Sequence, residues 1–263
     1  MDLFTIWLGN TNPICRLCIL SWIKLGYKPT IYVNLKEIDE FFLNLEDKIN
    51  LVDYTTILDK EPYEVLLHFT DYFRYIRLYK MGGTWLDADM FLIRQLPEEH
   101  IIISSERTQQ KGAYKSHKIE IANIGVLRFP ANDPLIYSVI KKIDNSKAKT
   151  SKLQKNMFYF QKTLYNDFPE YIENISPAWH YCPANYNNVK CIYYSNLFNP
   201  KYGQIVNQPD WILEHSYCCH LWENLSIHKH NIDFEKIKND SLFMKLYLSI
   251  NSINDSNLYS LTQ

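Results

Sequence analysis

The chain has 263 residues, a formal net charge of −1 and 46% hydrophobic residues, which is enough apolar material for one large globular domain with a substantial core. The near balance of positive and negative charge gives no electrostatic basis for binding nucleic acid, so we expect no nucleic-acid partner. The sequence contains no apolar run of 18 residues and no cleavable signal, and we therefore expect a cytoplasmic protein.

The N-terminal residues have the pattern of a βαβ unit. The apolar residues 3–8 predict a buried strand, Pro13 opens a helix that Gly26 ends, and residues 30–33 predict a second strand. Ligands of open α/β sheets bind beyond the carboxyl ends of the strands. Trp7 lies near that end, although filling the core is the commoner fate of a tryptophan in an apolar strand.

The cysteines raise the question of a zinc or redox site. Cys15 and Cys18 have C-x-x-C spacing, but they fall in a helical pattern, and the sequence has no second C-x-x-C pair. We therefore expect reduced, partly buried thiols.

A segment at residues 70–93, TDYFRYIRLYKMGGTWLDADMFLI, organises the rest of the chain. Its first half predicts a helix that Thr70 caps, with Asp71 in the first turn, where a carboxylate favours the positive end of the helix dipole. Gly82 and Gly83 supply the left-handed stop. The segment therefore predicts a helix that ends sharply before a short strand.

Two aspartates follow that strand, between apolar residues 84–86 and 90–93. In extended chain, residues two apart project to the same face, so Asp87 and Asp89 can both point at one cation. Carboxylate oxygens suit Mg²⁺ or Mn²⁺, which keep coordination positions open for substrate phosphates. The alternative is a pair of solvated turn residues. Carboxylates held against buried surface are costly without compensation, which favours the metal site.

This segment resembles the DXD-containing sugar-binding family of glycosyltransferases, which includes fungal mannosyltransferases, bacterial capsule and lipooligosaccharide enzymes, and clostridial glucosylating toxins. The residues at the family spacing are Asp71, Arg74, Gly82, Gly83, Asp87 and Asp89. Thr70 replaces the usual serine and Trp85 the usual tyrosine, and both replacements keep the character of the side chain.

The resemblance implies a GT-A-like, Rossmann-related α/β domain with a mixed central sheet at residues 1–225, and a helical extension packed on it at residues 226–263. It also implies that Asp71 and Arg74 orient the sugar, that an aromatic at Trp7 stacks on the nucleotide base, and that Asn123 lines the sugar-donor site. Without the resemblance, Asp71 and Arg74 are a surface ion pair, and Asn123 satisfies backbone groups at a strand end. The implied donor-binding residues are Trp7, Leu8, Asp71, Arg74, Asp87, Ala88, Asp89, Asn123, His220 and Trp222.

The element His220-Leu221-Trp222 resembles the family's closing H-x-W. A lone histidine is usually a satisfied core residue, but imidazole also binds Mn²⁺ well, and we expect His220 to join Asp87 and Asp89 as a metal ligand. Trp222 is then expected to lie over the diphosphate and sugar and to help exclude water.

The remaining residues give coarser expectations. Strands are predicted at residues 101–104 and 121–127, with a polar loop at 106–118 between them, and residues 211–219 look strand-like. Residues 133–166 are expected to be largely helical with a lysine-rich face. Residues 176–178 resemble a turn that forms the wall of the donor pocket. A short amphipathic segment in the tail favours packing on the domain, with peripheral membrane contact as the alternative.

The resulting hypothesis is a glycosyltransferase dependent on Mn²⁺ or Mg²⁺. It moves a hexose from a nucleotide-diphosphate sugar, most simply a UDP-sugar, to a glycan or lipid-linked acceptor in polysaccharide or lipooligosaccharide synthesis, with retention of configuration, inside the cell or at the inner membrane face. A metal-dependent phosphohydrolase would normally place its nucleophilic aspartate after the first strand, where the chain has Leu8, Gly9 and Asn10. A non-catalytic carbohydrate-binding protein is the third possibility.

Overall fold

A computed structural model describes residues 2–60, 62, 66–111, 117–145, 155–184, 189–194 and 209–251. The strands are β1 (Leu3–Ile6), β2 (Thr30–Val33), β3 (Asn50–Asp53), β4 (Gly83–Leu86), β5 (Met90–Leu92), β6 (Ile102–Lys111), β7 (His117–Phe129) and β8 (Cys218–His220). The α-helices are α1 (Pro13–Lys24), α2 (Glu40–Leu43), α3 (Leu66–Met81), α4 (Pro134–Asn145), α5 (Lys155–Asp167), α6 (Ala178–Tyr181), α7 (Val189–Tyr194), α8 (Pro209–His215) and α9 (Leu242–Asn251).

Six strands form a mixed central sheet in the order β3-β2-β1-β4-β7-β6. Strands β1 to β4 pair in parallel, whereas β7 runs antiparallel to both β4 and β6. A second, two-stranded sheet pairs β5 with β8 and places Met90 opposite His220. The expected Rossmann-related α/β fold with a mixed central sheet is therefore confirmed.

The core lies on both faces of the large sheet. On one face α3, α4 and α5 bury a cluster that includes Phe73, Trp85 and Leu127, and on the other α1 covers Ile31, Leu86 and Val126. The expected start of α1 is confirmed, because Asn12 caps it by accepting a hydrogen bond from the Cys15 backbone nitrogen at 3.0 Å. This packing fixes the carboxyl ends of β1 and β4 side by side.

The helix before the DXD segment starts earlier than expected. Helix α3 begins at Leu66, so Thr70 is not its cap, and Asp71 lies beyond its first turn. The Thr70 hydroxyl instead donates to the carbonyl oxygen of Leu67 at 3.0 Å. The predicted glycine stop is confirmed: Gly82 has φ +66°, and a Cβ there would lie 2.6 Å from the backbone nitrogen of Ala131.

The expected polar loop at residues 106–118 is wrong for the residues that the structure describes. Residues 106–111 continue β6 and residues 117–118 begin β7, so the two strands form a long hairpin. Polar side chains misled the prediction because the sequence of this hairpin lacks the apolar alternation by which a half-buried strand is recognised. Residues 112–116 lie outside the described residues.

Residues 133–166 are largely helical where the structure describes them, as expected, because they contain α4 and α5. The stretch between these helices, with Lys147, Lys149 and Lys152, lies outside the described residues. Another segment differs from the expectation. The strand-like stretch at 211–219 is mostly helix α8, and only its end belongs to β8. The two turns of α8 resemble a strand in sequence because so short an apolar run shows neither a helical nor a strand period clearly.

The C-terminal segment packs on the domain through α9. Leu242, Leu246 and Ile250 are buried in a cluster that also holds residues of α1, α7 and α8, whereas residues 252–263 lie outside the description. Cys15 and Cys18 are buried in α1, and burial raises the pKa of both thiols. No helix in the described part of the chain is both long and apolar enough to cross a membrane.

Candidate metal and sugar-donor site

The two DXD aspartates lie on a tight turn between β4 and β5. The Asp87 backbone nitrogen donates to the Gly125 carbonyl of β7 at 2.8 Å, and the Met90 nitrogen donates back to the Asp87 carbonyl at 2.9 Å. The expectation of an extended strand through Asp87 and Asp89 is therefore wrong, because the chain must turn to pass from one sheet to the other. The turn nevertheless brings both carboxylates to one side.

The Asp87 carboxylate is held from the α3 side of the sheet. Its Oδ1 accepts from Arg74 Nη2 at 2.7 Å and from Trp85 Nε1 at 2.7 Å. Burial raises the pKa of Asp87, although the Arg74 guanidinium opposes that rise. Trp85 and Asp87 are two residues apart, so their side chains leave the end of β4 on the same face. Asp87 is thus fixed in orientation by two donors.

Asp89 is paired with the histidine of the H-x-W element. Its Oδ1 lies 3.1 Å from His220 Nε2, and its Oδ2 accepts from the Glu223 backbone nitrogen at 2.8 Å. Burial alone would raise the pKa of Asp89, but the His220 imidazole and these hydrogen bonds hold it below its ordinary value. The same pairing raises the pKa of His220 even though burial opposes it.

Asp87, Asp89 and His220 form a group that can hold a metal ion. Each offers one ligand atom, and these atoms all lie within 4.8 Å of one another; among the described residues no other such group occurs. The other ring nitrogen of His220, Nδ1, faces the Cys182 sulfur at 4.0 Å. Two carboxylates and one imidazole fit Mn²⁺ or Mg²⁺ with positions left for other oxygen ligands.

A second polar group lies on α3 beside Asp87. Arg74 Nη2 lies 3.1 Å from Asp71 Oδ1, and Arg74 Nη1 donates to the Ile124 carbonyl at 2.8 Å. Asp71 is only 6% exposed, so the alternative of an exposed ion pair is wrong. Burial raises the pKa of Asp71 to about 6 despite the neighbouring Arg74. Arg74 therefore bridges the buried carboxylate of Asp71 and the half-buried carboxylate of Asp87, and it rests on the Trp85 ring, 4.6 Å from its centroid.

Trp222 has a backbone conformation that side chains seldom adopt. Its φ is +54°, its ring stacks on the His220 ring with centroids 3.8 Å apart, and its Nε1 donates to the Ala184 carbonyl at 2.7 Å. A bulky residue at positive φ costs free energy and persists only where its surroundings hold it. Holding this indole beside the metal-ligand group therefore lowers the stability of the fold.

The other predicted site residues lie at the same edge of the sheet. β1 pairs in parallel with β4, so Trp7 and Leu8, which follow β1, lie on the side where Asp87 follows β4. Trp7 is half-buried, and its Nε1 donates to the Asn10 carbonyl at 3.2 Å. Ala88 is buried within the turn. Asn123 is buried on β7, where its Oδ1 accepts from the Gly125 nitrogen at 2.6 Å.

Residues 176–178 contact the hairpin. The Ser176 carbonyl accepts from the Ser105 hydroxyl at 2.7 Å, and the Ala178 nitrogen donates to Glu120 Oε2 at 3.0 Å. These contacts explain the position of α6, whose end brings Cys182 to His220. The predicted role of this turn as a wall of the donor pocket stays a prediction.

Comparison with known proteins identifies the region that carries these groups. Residues 15–108 match the model of a family described as the glycosyltransferase sugar-binding region containing the DXD motif. Residues 15–108, which hold Asp71, Arg74, Asp87 and Asp89, are therefore a DXD-containing sugar-binding region of the glycosyltransferase type. The match agrees with the expected transferase, and the sheet order agrees with the expected α/β fold with a mixed central sheet. No curated protein sequence matches the chain.

Several solved structures are similar to this DXD glycosyltransferase at low identity. The PaToxG glycosyltransferase is 19% identical with a TM-score of 0.47, and the match covers 64% of this chain and 69% of that one. The galactosyltransferase LgtC in complex with donor and acceptor sugar analogs is 13% identical with a TM-score of 0.39, and the match covers 63% of this chain and 70% of that one. The glycosyltransferase GlyE of Streptococcus pneumoniae is 14% identical with a TM-score of 0.37, and the match covers 67% of this chain and 45% of that one.

The structure adds to the site residues that do not stand out in the sequence. Trp85, in place of the usual tyrosine, donates to Asp87, and the spacing of two residues is the signal that could have revealed this contact. Glu223 follows the H-x-W element and binds Asp89 through its backbone, which no side-chain pattern reveals. Glu106 is buried near His220 and Asn123, and the assignment of its segment to a loop concealed it.

Proposed function

We propose that this glycosyltransferase uses a divalent cation, Mn²⁺ or Mg²⁺, to transfer a hexose from a nucleotide-diphosphate sugar. The observation that carries the proposal is the convergence of Asp87 and Asp89, which lie in the matched DXD region, with His220 on β8; their ligand atoms lie within 4.8 Å of one another. A bound cation would neutralise negative charge that develops on the diphosphate leaving group. UDP is the nucleotide that we favour.

The chain's own residues hold and orient the substrate in this proposal. Asp71 and Arg74 bind hydroxyl groups of the sugar, because a carboxylate and a guanidinium fork suit a polyhydroxylated ring. Arg74 also keeps Asp87 in place through the 2.7 Å contact. Trp7 stacks on the base and Trp222 covers the diphosphate and sugar, where its ring excludes water.

The acceptor that we propose is a glycan or a lipid-linked glycan, and the reaction retains the anomeric configuration. The setting is surface polysaccharide or lipooligosaccharide synthesis in the cytoplasm, at the inner face of the membrane. The support is the sequence resemblance to capsule and lipooligosaccharide enzymes. In this proposal the C-terminal residues 226–263 form an extension of the single catalytic domain, residues 1–225.

The test is a donor panel. Purified protein is incubated with Mn²⁺ and a set of nucleotide sugars, and release of the free nucleotide is measured with and without chelator. Slow, metal-dependent release from one donor supports the proposal. Release of phosphate from simple esters would instead indicate a phosphohydrolase, and metal-independent binding of free glycans without turnover would indicate a carbohydrate-binding protein.

The matched variants are Asp89→Asn and Asp89→Ala. An asparagine oxygen can still accept the hydrogen bond of the Glu223 backbone nitrogen, so the first variant removes the negative charge while keeping that contact. Both variants are expected to abolish turnover, and Asp47→Asn, at an exposed carboxylate, is the control. Metal-dependent turnover that is unchanged in Asp89→Asn would overturn the assignment.

A further inference from the structure

The turn that carries the H-x-W element holds Asp89 through its backbone. The Leu221 nitrogen donates to the Asp89 carbonyl at 2.9 Å, and the Glu223 nitrogen donates to Asp89 Oδ2 at 2.8 Å. Trp222 lies between these two residues and has the positive φ described above. The direction of the Asp89 carboxylate therefore depends on where residues 221–223 lie.

The side chain of Glu223 connects this turn to the start of α1. Its Oε1 accepts a hydrogen bond from Asn12 Nδ2 at 2.9 Å, although the two residues are 211 positions apart in the sequence. The Glu223 side chain is only 19% exposed, so water competes weakly for this contact. A hydrogen bond to an ionised carboxylate is also stronger than one between neutral groups. The Asn12–Glu223 contact can therefore hold the turn in place.

Asn12 is itself held by the fold. Its Oδ1 caps α1 by accepting from the Cys15 nitrogen at 3.0 Å, which leaves Nδ2 as its donor to Glu223. Helix α1 packs on the large sheet, and Asn12 ends the segment after β1 that contains Trp7. Asn12 therefore anchors Glu223 to the core of the domain.

A second contact of Glu223 is weaker. Glu223 Oε1 lies 3.9 Å from His228 Nε2, and the His228 side chain is 68% exposed. An ion pair between groups exposed to this extent contributes little. The hydrogen bond from Asn12 is therefore the contact that determines where the Glu223 carboxylate lies.

We propose that Asn12 and Glu223 are positioning residues, which fix the H-x-W turn against the start of α1 and so orient Asp89 for the cation. The inference rests on the proposed function, because it assumes that Asp89 ligates the metal. Neither Asn12 nor Glu223 is a metal ligand in this proposal. The pair supplies one hydrogen bond at a fixed place, and the bond serves in either direction as long as a donor faces an acceptor.

The test measures Mn²⁺ affinity directly, by electron paramagnetic resonance titration in the presence of UDP, so that it does not depend on turnover. Glu223→Ala removes the acceptor but keeps the backbone nitrogen that binds Asp89, and it should weaken Mn²⁺ binding about tenfold. Asn12→Ser should weaken binding by a similar factor, because serine still caps the helix but is too short to donate to Glu223 as well. His228→Ala is the control and should bind Mn²⁺ like the wild type.

Two combined variants separate positioning from loss of charge. Asn12→Ser with Glu223→Ala should bind Mn²⁺ no more weakly than either single variant, because both changes break the same hydrogen bond. Asn12→Asp with Glu223→Gln exchanges donor and acceptor at the same net charge, and it should bind Mn²⁺ within about threefold of the wild type. Aspartate is also a good helix cap, so the exchange keeps the start of α1.

Three results would overturn the inference. They are Mn²⁺ affinity in Glu223→Ala equal to that of the wild type, losses in the two single variants that add in the double variant, and an exchange variant as weak as Glu223→Ala. Wild-type protein that binds no Mn²⁺ with UDP would overturn the proposed function as well. Failure of the positioning role alone is recognised because the wild type still binds the metal.

Discussion

The buried carboxylate of Asp71 should lower the stability of the folded protein at neutral pH. Its pKa rises from 3.8 to about 6, chiefly through burial, and since one pKa unit is worth about 1.36 kcal/mol, the ionised group costs about 3 kcal/mol. Between these two pH values the unfolded chain has released a proton that folded Asp71 still holds. Raising the pH through this range therefore decreases the free energy of unfolding, and the full cost is present above pH 6.

Asp71→Asn removes this titration, because an amide stays neutral. At pH 4 the variant and the wild type should unfold with similar free energies, and at pH 7.5 the variant should be more stable by up to about 3 kcal/mol. The assay is urea unfolding across this pH range in the absence of metal, with Asp47→Asn, at an exposed carboxylate, as the control. The variant should also lose at least about tenfold in kcat/KM, because a charged hydrogen bond to the sugar is lost.

One result would refute this reasoning about Asp71. If the difference in the free energy of unfolding between Asp71→Asn and the wild type is the same at pH 4 and pH 7.5, burying the ionised Asp71 carboxylate does not destabilise the fold. A variant that is less stable than the wild type at pH 7.5 would contradict it more strongly, since it would show that the Arg74 contact outweighs burial.

Three further outcomes follow from the geometry. Gly125→Ala should weaken Mn²⁺ binding about tenfold, because its Cβ would press on Asn123 Oδ1 at 2.9 Å; calorimetric titration measures this, and unchanged affinity would contradict it. Gly82→Ala should lower stability in thermal unfolding by more than Gly26→Ala: both glycines have positive φ, but only a Cβ at Gly82 meets backbone. Because the pKa of His220 is raised above its ordinary 6.5, Mn²⁺ affinity should still increase as the pH rises past 6.5, and binding should release protons, which titration in buffers of different ionisation enthalpy detects.

The sequence is most informative where local chemistry determines the structure. Pro13 and Gly26 bound the first helix, and the glycine stop at Gly82 required a positive φ that the structure shows. The DXD spacing and the H-x-W element identified Asp87, Asp89 and His220, which the fold brings together across more than one hundred residues. Each of these signals depends on a few adjacent residues.

Contacts between distant strands could not be predicted in the same way. The hydrogen bond from the Asp87 nitrogen to the Gly125 carbonyl depends on the pairing of β4 with β7, and register is a property of paired strands. The polar hairpin also lacked the apolar alternation by which strands are recognised. Thr70 was a reasonable cap, but tertiary packing extended α3 to Leu66.

The most direct measurement is a crystal structure of the protein with Mn²⁺ and UDP, with anomalous scattering recorded to locate manganese. We expect one anomalous peak in contact with Asp87, Asp89 and His220 and with oxygens of the diphosphate. A diphosphate bound elsewhere, or this corner empty at saturating Mn²⁺ and UDP with both aspartates turned toward solvent, would contradict it.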